Sequence, residues 1–124
     1  MNKHIGYCGA LFVCVLMSAA CAPKNVSFSA DVQPILKQYC LECHEPGGSG
    51  FGASGFDISS YETLMKGGKF GALVIPGDPL TSTLNILVEG RAHPSIHMPH
   101  GRKKLSDRET EILRDWVQEG AKNN

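Results

Sequence analysis

The stretch Cys40-Leu41-Glu42-Cys43-His44 contains two cysteines separated by two residues and a histidine directly after the second cysteine. This spacing is the attachment signature of c-type haem. The two thiols must reach two vinyl groups on neighbouring pyrrole rings, and the histidine can then supply an imidazole nitrogen to the iron. The motif therefore predicts one covalent haem c, with Cys40 and Cys43 as thioether ligands and His44 as the proximal iron ligand.

Two other kinds of site use the same residue types. A thiol redox pair usually lies between a strand and a helix, and no strand pattern precedes Cys40. A structural zinc site needs four ligands, and His93, His97 or His100 could complete a set with the cysteines. We favour haem because the motif occurs together with an export signal and with predicted helices on both sides.

The residues before the motif begin with an apolar segment. Ile5 to Ala20 follows a short basic start and contains no charged residue, which is typical of an export signal. The run is too short to favour a membrane span. It ends in Leu16-Met17-Ser18-Ala19-Ala20-Cys21, which resembles a bacterial lipobox, although Ser18 stands where a branched apolar residue is commoner.

We therefore predict a lipoprotein signal peptide over residues 1–20, lipidation of Cys21 after cleavage before it, and a polar tether over residues 21–27. Cleavage after Ala22 without lipidation and an uncleaved anchor are the alternatives. Each of the three places the mature domain outside the cytoplasm. A lipid anchor at Cys21 predicts a periplasmic domain attached to a membrane, with the outer membrane favoured over the inner.

Composition narrows the class of partner. The chain has 124 residues, which is enough for one small domain, and its formal net charge is zero. A chain without excess positive charge is not expected to bind nucleic acid. Beyond Cys21 the cysteines form only one close pair, so a framework of several disulfides is excluded.

Apolar periodicity predicts an all-α domain with four short helices. The first helix is capped by Ser29 and ends at the haem motif. Its apolar face is formed by residues at helical spacing: Val32, Ile35, Leu36 and Tyr39. The second helix begins at the capping-box pair Ser59 and Glu62 and ends near Gly67.

The third and fourth predicted helices lie in the second half of the chain. The third begins at Asp78-Pro79, a cap followed by an N1 proline, and runs to about Val88. The fourth begins at the capping-box pair Ser106 and Glu109 and ends at Gly120. Its apolar stripe consists of four residues: Ile112, Leu113, Trp116 and Val117.

Long loops connect these helices. Glu45 to Gly55 is rich in glycine, and Arg91 to Lys104 is rich in histidine, proline and glycine. Between Gly67 and Pro76, four apolar residues are expected to be buried: Phe70, Leu73, Val74 and Ile75. A domain of this size buries only about two-thirds of its unfolded surface, and ordering each residue costs about 1–2 kcal/mol of backbone entropy. A large apolar cofactor would fill the centre.

A haem iron has a sixth ligand position, and Met98 is the favoured residue for it. A methionine thioether is a soft ligand that favours reduced iron and raises the reduction potential. The other methionine of the mature chain, Met65, lies on a predicted helix, where core packing explains it. A histidine ligand from His93, His97 or His100 is the alternative and would lower the potential.

Together these residues resemble class I cytochrome c, and more narrowly the short Planctomycete-type cytochrome c domain. The resemblance spans residues 28–121. Apart from the haem motif, it lies in the following stretches: Phe28, Asp31-Val32-Gln33-Pro34-Ile35-Leu36, Val74-Ile75-Pro76-Gly77-Asp78-Pro79, Ser82, Leu84, Met98-Pro99, Trp116 and Gly120-Ala121. His100 departs from the family pattern and leaves another imidazole near the iron.

The resemblance implies a class I cytochrome c fold around one covalent haem. The first and last helices would cross beside the haem edge, with Trp116 near Val32 and Leu36. It also implies single-electron transfer from a redox protein donor to a redox protein acceptor, with both axial positions filled by the chain. A haem enzyme of peroxidase or reductase type, or a haem sensor, is the alternative if Met98 is not a fixed ligand.

Two sets of polar contacts are expected around the haem. The proximal His44 should donate its other ring nitrogen to a carbonyl or carboxylate, and the glycine-rich loop after Pro46 could supply one. The haem propionates need donors, for which four residues are available: Tyr61, Lys69, Arg91 and Arg102.

Overall fold

The structure is a computed structural model that describes residues 25–124. The predicted signal peptide over residues 1–20 and the predicted lipidation site Cys21 lie outside the described residues. Within the described part, no helix has the length and apolar character needed to cross a membrane.

Within residues 25–124, five α-helices make up most of the regular structure: α1 Gln33–Tyr39, α2 Ser49–Ser54, α3 Tyr61–Lys66, α4 Thr83–Val88 and α5 Asp107–Gln118. A π-helical turn, Phe28–Val32, leads directly into α1, and a 3₁₀ turn, Pro94–Ile96, lies between α4 and α5. Residues 25–124 contain no strand, and an isolated bridge joins Gly68 to Gly71. The all-α prediction is confirmed, with five helices instead of four.

The additional helix is α2, which lies in the segment predicted as loop from Glu45 to Gly55. Its sequence, Ser-Gly-Phe-Gly-Ala-Ser, has no apolar stripe, so periodicity did not indicate it. The Gly55 N–H donates to the Phe51 carbonyl at 2.7 Å and closes the helix with a left-handed residue, φ +70°.

The first helical segment begins two residues earlier than predicted. Ser27, not Ser29, is its cap: the Ser27 hydroxyl accepts from Ala30 N at 3.2 Å. The Asp31 carboxylate accepts in return from Ser27 N at 2.9 Å, so the pair forms a reciprocal cap. The expected apolar face is confirmed, because Val32, Ile35 and Leu36 are buried and Tyr39 packs against the core.

The predicted start of α3 is displaced by one residue. Ser60 and Thr63 form the capping box, and the predicted pair Ser59 and Glu62 does not. Ser59 is instead held by the Asp57 carboxylate, which accepts from its N–H at 2.9 Å and its hydroxyl at 2.6 Å.

The predicted start of α4 at Asp78-Pro79 is also wrong, because α4 begins after Ser82. The Asp78 carboxylate caps a tight turn, accepting from Leu80 N at 3.0 Å and Thr81 N at 3.1 Å. Ser82 is fully buried, and its hydroxyl donates to the Asp78 carbonyl at 2.7 Å. The predicted end at Val88 is confirmed.

The segment between α3 and α4 divides into buried and exposed apolar residues. Leu73 and Val74 are buried as expected, but Phe70 is 78% exposed and Ile75 is 41% exposed. Phe70 lies at the tip of a turn closed by mutual backbone hydrogen bonds between Gly68 and Gly71, at 3.0 and 3.1 Å. The turn geometry holds the ring outside the core, so the burial prediction for Phe70 and Ile75 is wrong.

The helix α5 agrees with its prediction. Ser106 and Glu109 form a reciprocal capping box, and the stripe residues Leu113, Trp116 and Val117 are almost completely buried. This helix packs against the π-helical turn and against α4. The ring centroids of Trp116 and Phe28 lie 5.5 Å apart. Contact between the first and last helical segments is therefore present through the π-helical turn and Phe28, while the expected position of Trp116 near Val32 and Leu36 stays a prediction.

Hydrogen bonds also join residues before α1 to residues after α5. The Phe28 N–H donates to the Asn124 side-chain carbonyl at 2.8 Å, and Ser29 N donates to the Asn124 backbone carbonyl at 3.0 Å. Val26 is buried, and its N–H donates to the Glu119 carboxylate at 2.8 Å. Packed contacts thus extend to Val26 on one side and to Asn124 on the other.

Candidate haem site

One apolar cavity of about 490 Å³ lies between the segment after α1 and the loop before α5. Its volume is within the range of cofactor pockets, about 300–1,000 Å³. The cavity is lined by Cys40, Cys43 and His44, which follow α1, and by Met98, which lies in the loop before α5. All four predicted haem ligands therefore reach the same cavity. Much of the remaining wall is aliphatic or aromatic: Phe56, Ile58, Leu73, Leu84, Leu87 and Val88.

The haem motif forms a tight turn at the end of α1. Cys40 N donates to the Leu36 carbonyl at 2.9 Å and so belongs to the last turn of the helix. The Cys40 carbonyl then accepts from Cys43 N at 3.2 Å and from His44 N at 3.0 Å. Because the chain turns back on itself within these residues, both thiols and the imidazole lie on the wall of one cavity.

The glycine-rich helix α2 packs directly against this turn. Phe51 N donates to the Cys43 carbonyl at 2.8 Å. A Cβ atom on Gly50 would lie 2.7 Å from Cε1 and 2.9 Å from Nε2 of His44, and one on Gly48 would collide with the Cys43 carbonyl. The cradle around His44 therefore requires glycine. The segment has no apolar stripe and is predicted as a connecting loop, but its glycines directly after the motif are a usable signal of close packing.

The two cysteines are partly buried, and Cys40 has the character of a neutral thiol. They are free, and residues 25–124 contain no group of three His, Cys, Asp or Glu side chains placed to hold a metal ion. Burial, together with the nearby Cys43, raises the pKa of Cys40 to about 11. Zinc binding and thiol redox chemistry both need a thiolate at neutral pH. The environment of Cys40 does not favour a free thiolate and so fits the thiol redox alternative poorly.

His44 is suited to metal binding as a neutral imidazole. Burial lowers its pKa, and the backbone of Phe56 partly opposes that shift. The neutral ring is the form that binds metals. Its Nδ1 is buried and has no hydrogen-bond partner within the described residues. The predicted carbonyl from the glycine-rich segment is thus not in place, and the backbone group that acts on the ring belongs to Phe56.

The structure separates the candidates for the sixth ligand. Met98 and His100 line the cavity. Met98 is half-buried, its N–H donates to the Leu87 carbonyl at 3.3 Å, and its peptide bond to Pro99 is cis. Met65 packs against the hydrophobic core, and His93 bonds to the hydroxyl of Ser95 at 2.8 Å. His97 lines a second cavity on the far side of the loop.

A comparison with protein families gives a match over this part of the chain. Residues 40–99 match the family described as Planctomycete cytochrome C. The chain contains a Planctomycete-type cytochrome c domain. A cytochrome c domain binds haem and transfers electrons, and such domains are typically exported. The matched range includes Cys40, Cys43, His44 and Met98. No curated protein and no solved structure matches the chain.

The four candidate propionate donors of this cytochrome c domain have different surroundings. Arg102 lines the cavity, and its guanidinium bonds to Glu42 at 2.6 Å on the surface. Lys69 donates to the Gly52 carbonyl at 2.8 Å, and Tyr61 donates to the Ala121 carbonyl at 2.9 Å. Arg91 forms an ion pair with Glu89 at 2.6 Å, at the start of the loop before α5. Arg102 is therefore the best placed of the four.

The residues of the cytochrome c domain fit a haem. Two thiols, a neutral imidazole and a thioether line one apolar cavity, and this is the donor set of a c-type haem. The glycine cradle leaves His44 room on the side of Gly50, and the unpartnered His44 Nδ1 is sealed inside the protein.

Proposed function

We propose that this protein is a monohaem c-type cytochrome that carries single electrons outside the cytoplasm. One haem c would be held by thioether bonds to Cys40 and Cys43, with His44 and Met98 as the axial iron ligands. The observation that carries this proposal is the convergence of these four side chains on one apolar cavity.

Each residue has a separate role in that function. The haem supplies an iron that changes between the ferrous and ferric states. Cys40 and Cys43 fix the group covalently at the end of α1, so it cannot diffuse away from an exported protein. His44 offers a neutral imidazole, and the soft thioether of Met98 favours the reduced state. The apolar wall keeps water away, which disfavours the more highly charged oxidised state.

The covalent bonds are tested by haem staining after denaturing gel electrophoresis. The wild-type protein should keep the stain, and the double variant Cys40→Ala/Cys43→Ala should lose it. Each single variant should retain some haem, because one thioether remains, but less haem than the wild type, because the other thioether is lost. A stain of wild-type intensity in the double variant would refute covalent attachment through these cysteines.

The sixth ligand is tested by absorption spectroscopy of the oxidised protein. A charge-transfer band from methionine to ferric iron should be present in the wild type and absent from Met98→Ala. Met65→Ala is the matched control, because Met65 packs against the hydrophobic core, and it should keep the band.

A haem enzyme is the alternative function, and the position of His100 at the cavity supports it. An enzyme of this type needs an iron position that an external ligand can reach, and a nearby acid–base group. Rapid carbon monoxide binding to the reduced wild type, together with absence of the methionine band, would favour the enzyme. Slow binding in the wild type and fast binding in Met98→Ala would favour the electron carrier.

We further propose a periplasmic location with a lipid anchor at Cys21. Metabolic labelling with palmitate should mark the wild type and not Cys21→Ala. Cys14→Ala, a cysteine change inside the predicted signal peptide, is the control and should stay labelled. A mature amino terminus at Pro23 without label would instead indicate cleavage after Ala22 and plain secretion.

A further inference from the structure

We propose that Glu89 is a positioning residue for the axial ligand, which holds the loop of residues 91–104 against α5 and thereby fixes Met98. This loop is called the ligand loop below. The inference rests on the proposed ligation of the iron by Met98, and it concerns how the chain keeps that side chain in place.

Glu89 is a buried carboxylate between two arginines. It directly follows α4, and its side chain is only 6% exposed. Its Oε2 accepts from Arg91 Nε at 2.6 Å and from Arg114 on α5 at 2.8 Å. Charge-assisted bonds of this length are stronger than neutral ones. The carboxylate is buried, whereas Arg91 and Arg114 are 33% and 45% exposed, so burial reduces solvent screening on the side of Glu89. The first residue of the ligand loop is therefore tied to the last helix through one carboxylate.

Arg91 extends this connection to the turn before α4. Its guanidinium donates to the Leu80 carbonyl at 2.7 Å and to the Pro79 carbonyl at 2.8 Å. Its backbone N–H donates to the Ile86 carbonyl at 3.0 Å. All three nitrogens of the Arg91 guanidinium, Nε included, therefore donate a hydrogen bond, which fixes the orientation of the planar group.

The next residues bring Glu89 close to the position of Met98. Gly90 lies directly under the His97 ring, since a Cβ on Gly90 would be 2.9 Å from His97 Cε1. His97 immediately precedes Met98 in the sequence. The Met98 N–H donates to the Leu87 carbonyl at 3.3 Å. Met98 and the residue before it are thus both in contact with the end of α4 and the residues that follow it.

Two polar atoms at this position complement each other. Glu89 Oε1 and His97 Nε2 are both buried, and neither has a hydrogen-bond partner within residues 25–124. Both residues line a second cavity of about 500 Å³ behind the ligand loop. A buried carboxylate oxygen and an imidazole N–H are costly to leave unpaired, and they satisfy each other when paired. Pairing of these two groups across the shared cavity would complete the anchor of the ligand loop.

The test measures how readily added imidazole displaces Met98 from the oxidised holoprotein. In Glu89→Gln, which keeps the shape and removes the charge, imidazole should bind about tenfold more tightly than in the wild type. Glu111→Gln is the matched control on α5, where Glu111 forms an exposed ion pair with Arg108 at 3.2 Å. The control should bind imidazole as the wild type does.

A purely structural role for Glu89 predicts a different pattern. It would accelerate amide hydrogen exchange throughout the domain, whereas a positioning role accelerates exchange at Met98 and leaves Val117 of α5 unchanged. If Glu89 acts through His97, the double variant Glu89→Gln/His97→Phe should bind imidazole no more tightly than the tighter single variant. If Glu89→Gln does not fold, Arg114→Gln removes one donor of the same carboxylate and serves instead.

The outcomes are distinguishable from those of the proposed function. Wild-type imidazole affinity in Glu89→Gln, or uniform acceleration of exchange, would overturn the positioning role and leave Met98 ligation intact. Absence of the methionine charge-transfer band from the wild type would overturn both. A selective increase in imidazole affinity with local exchange at Met98 would establish the anchor.

Discussion

Gly50 determines how closely α2 can approach His44. A side chain at this position would fill the space beside Cε1 and Nε2 of the imidazole, and it would also meet the Cys43 carbonyl at 2.9 Å. The neighbouring Gly52 lies in the same helix, but apart from its chain neighbours and the backbone of its own helix, no atom of the described residues lies within 4 Å of its Cβ position. The two glycines therefore separate the effect of the cradle from the general effect of glycine in a helix.

We expect Gly50→Ala to weaken haem retention and to destabilise the folded protein. Overpacking of a closely packed site costs about 1–3 kcal/mol, which exceeds the gain of about 1 kcal/mol from replacing a helical glycine by alanine. Gly52→Ala should show only the gain. Urea unfolding of both holoproteins measures the difference, and equal stability of the two variants would contradict the cradle.

The ligand residues and the cradle differ in how far the sequence predicts them. Cys40, Cys43 and His44 are specified by local spacing, and Met98 by its loop together with the family resemblance. Gly50 acts through space on His44, so its role depends on how the chain folds back after the motif. The same holds for Glu89, because its arginine partners are far apart in the sequence, one at the start of the ligand loop and one in α5.

Helix ends depend on which of several adjacent polar residues captures the free N–H groups. At α5 Ser106 is the one serine next to Glu109 at the right spacing, and the predicted capping box is present. At α3 both Ser59 and Ser60 could serve as the N-cap. Ser59 is hydrogen-bonded to Asp57, and Ser60 is the cap. Such competition was not readable from spacing alone, because both serines fit the pattern.

The capping box of α5 predicts a pH-dependent stability. Glu109 accepts from the Ser106 hydroxyl and N–H, each at 2.7 Å, and from the Tyr39 hydroxyl at 3.1 Å. The bonds from Ser106 are the main cause of a lowered pKa for Glu109. A carboxyl with a lower pKa in the folded state stabilises the protein above its ordinary pKa, near 4.5, and loses that effect as the pH falls through the folded value.

We therefore expect Glu109→Gln to be less stable than the wild type at neutral pH and equally stable in strong acid. Ser106→Ala should cost about 1 kcal/mol at neutral pH, as is usual for loss of a helix cap. Glu62→Gln removes an acidic residue from the first turn of α3, outside its capping box, and serves as the control. Urea unfolding at a series of pH values tests this, and a pH-independent difference for Glu109→Gln would contradict it.

At the scale of the described domain, residues 25–124, the fold is closed by contacts between the residues before α1 and those in and after α5. Phe28 packs beside Trp116, and the side chain of Asn124 accepts from the buried Phe28 N–H. Periodicity predicted the helices that meet here, and the resemblance predicted that they meet. The bonds of Val26 and Asn124 lie outside the predicted range of residues 28–121, because no periodic pattern marks an extended segment held by single hydrogen bonds.

We expect Asn124→Ala to destabilise the domain by about 1–3 kcal/mol, because it leaves the Phe28 N–H buried without its acceptor. Asn123→Ala is the matched control: its side chain is exposed and makes one long contact, 3.5 Å, with Glu62. A surface change of that kind should alter the free energy of unfolding by less than about 0.5 kcal/mol. Thermal or urea unfolding of both variants checks the prediction, and equal effects would argue against the closing role of Asn124.

The closing contacts also determine the order in which parts of the chain can become structured during synthesis. The turn from Cys40 to His44 is built from local hydrogen bonds. Phe28, in contrast, contacts Trp116 and Asn124, which are synthesised much later than Phe28. A chain made from its amino terminus emerges over several seconds, at about 5–20 residues per second. During that interval the turn that carries the two thiols can form from its local hydrogen bonds, while the contacts of Phe28 with Trp116 and Asn124 are still absent.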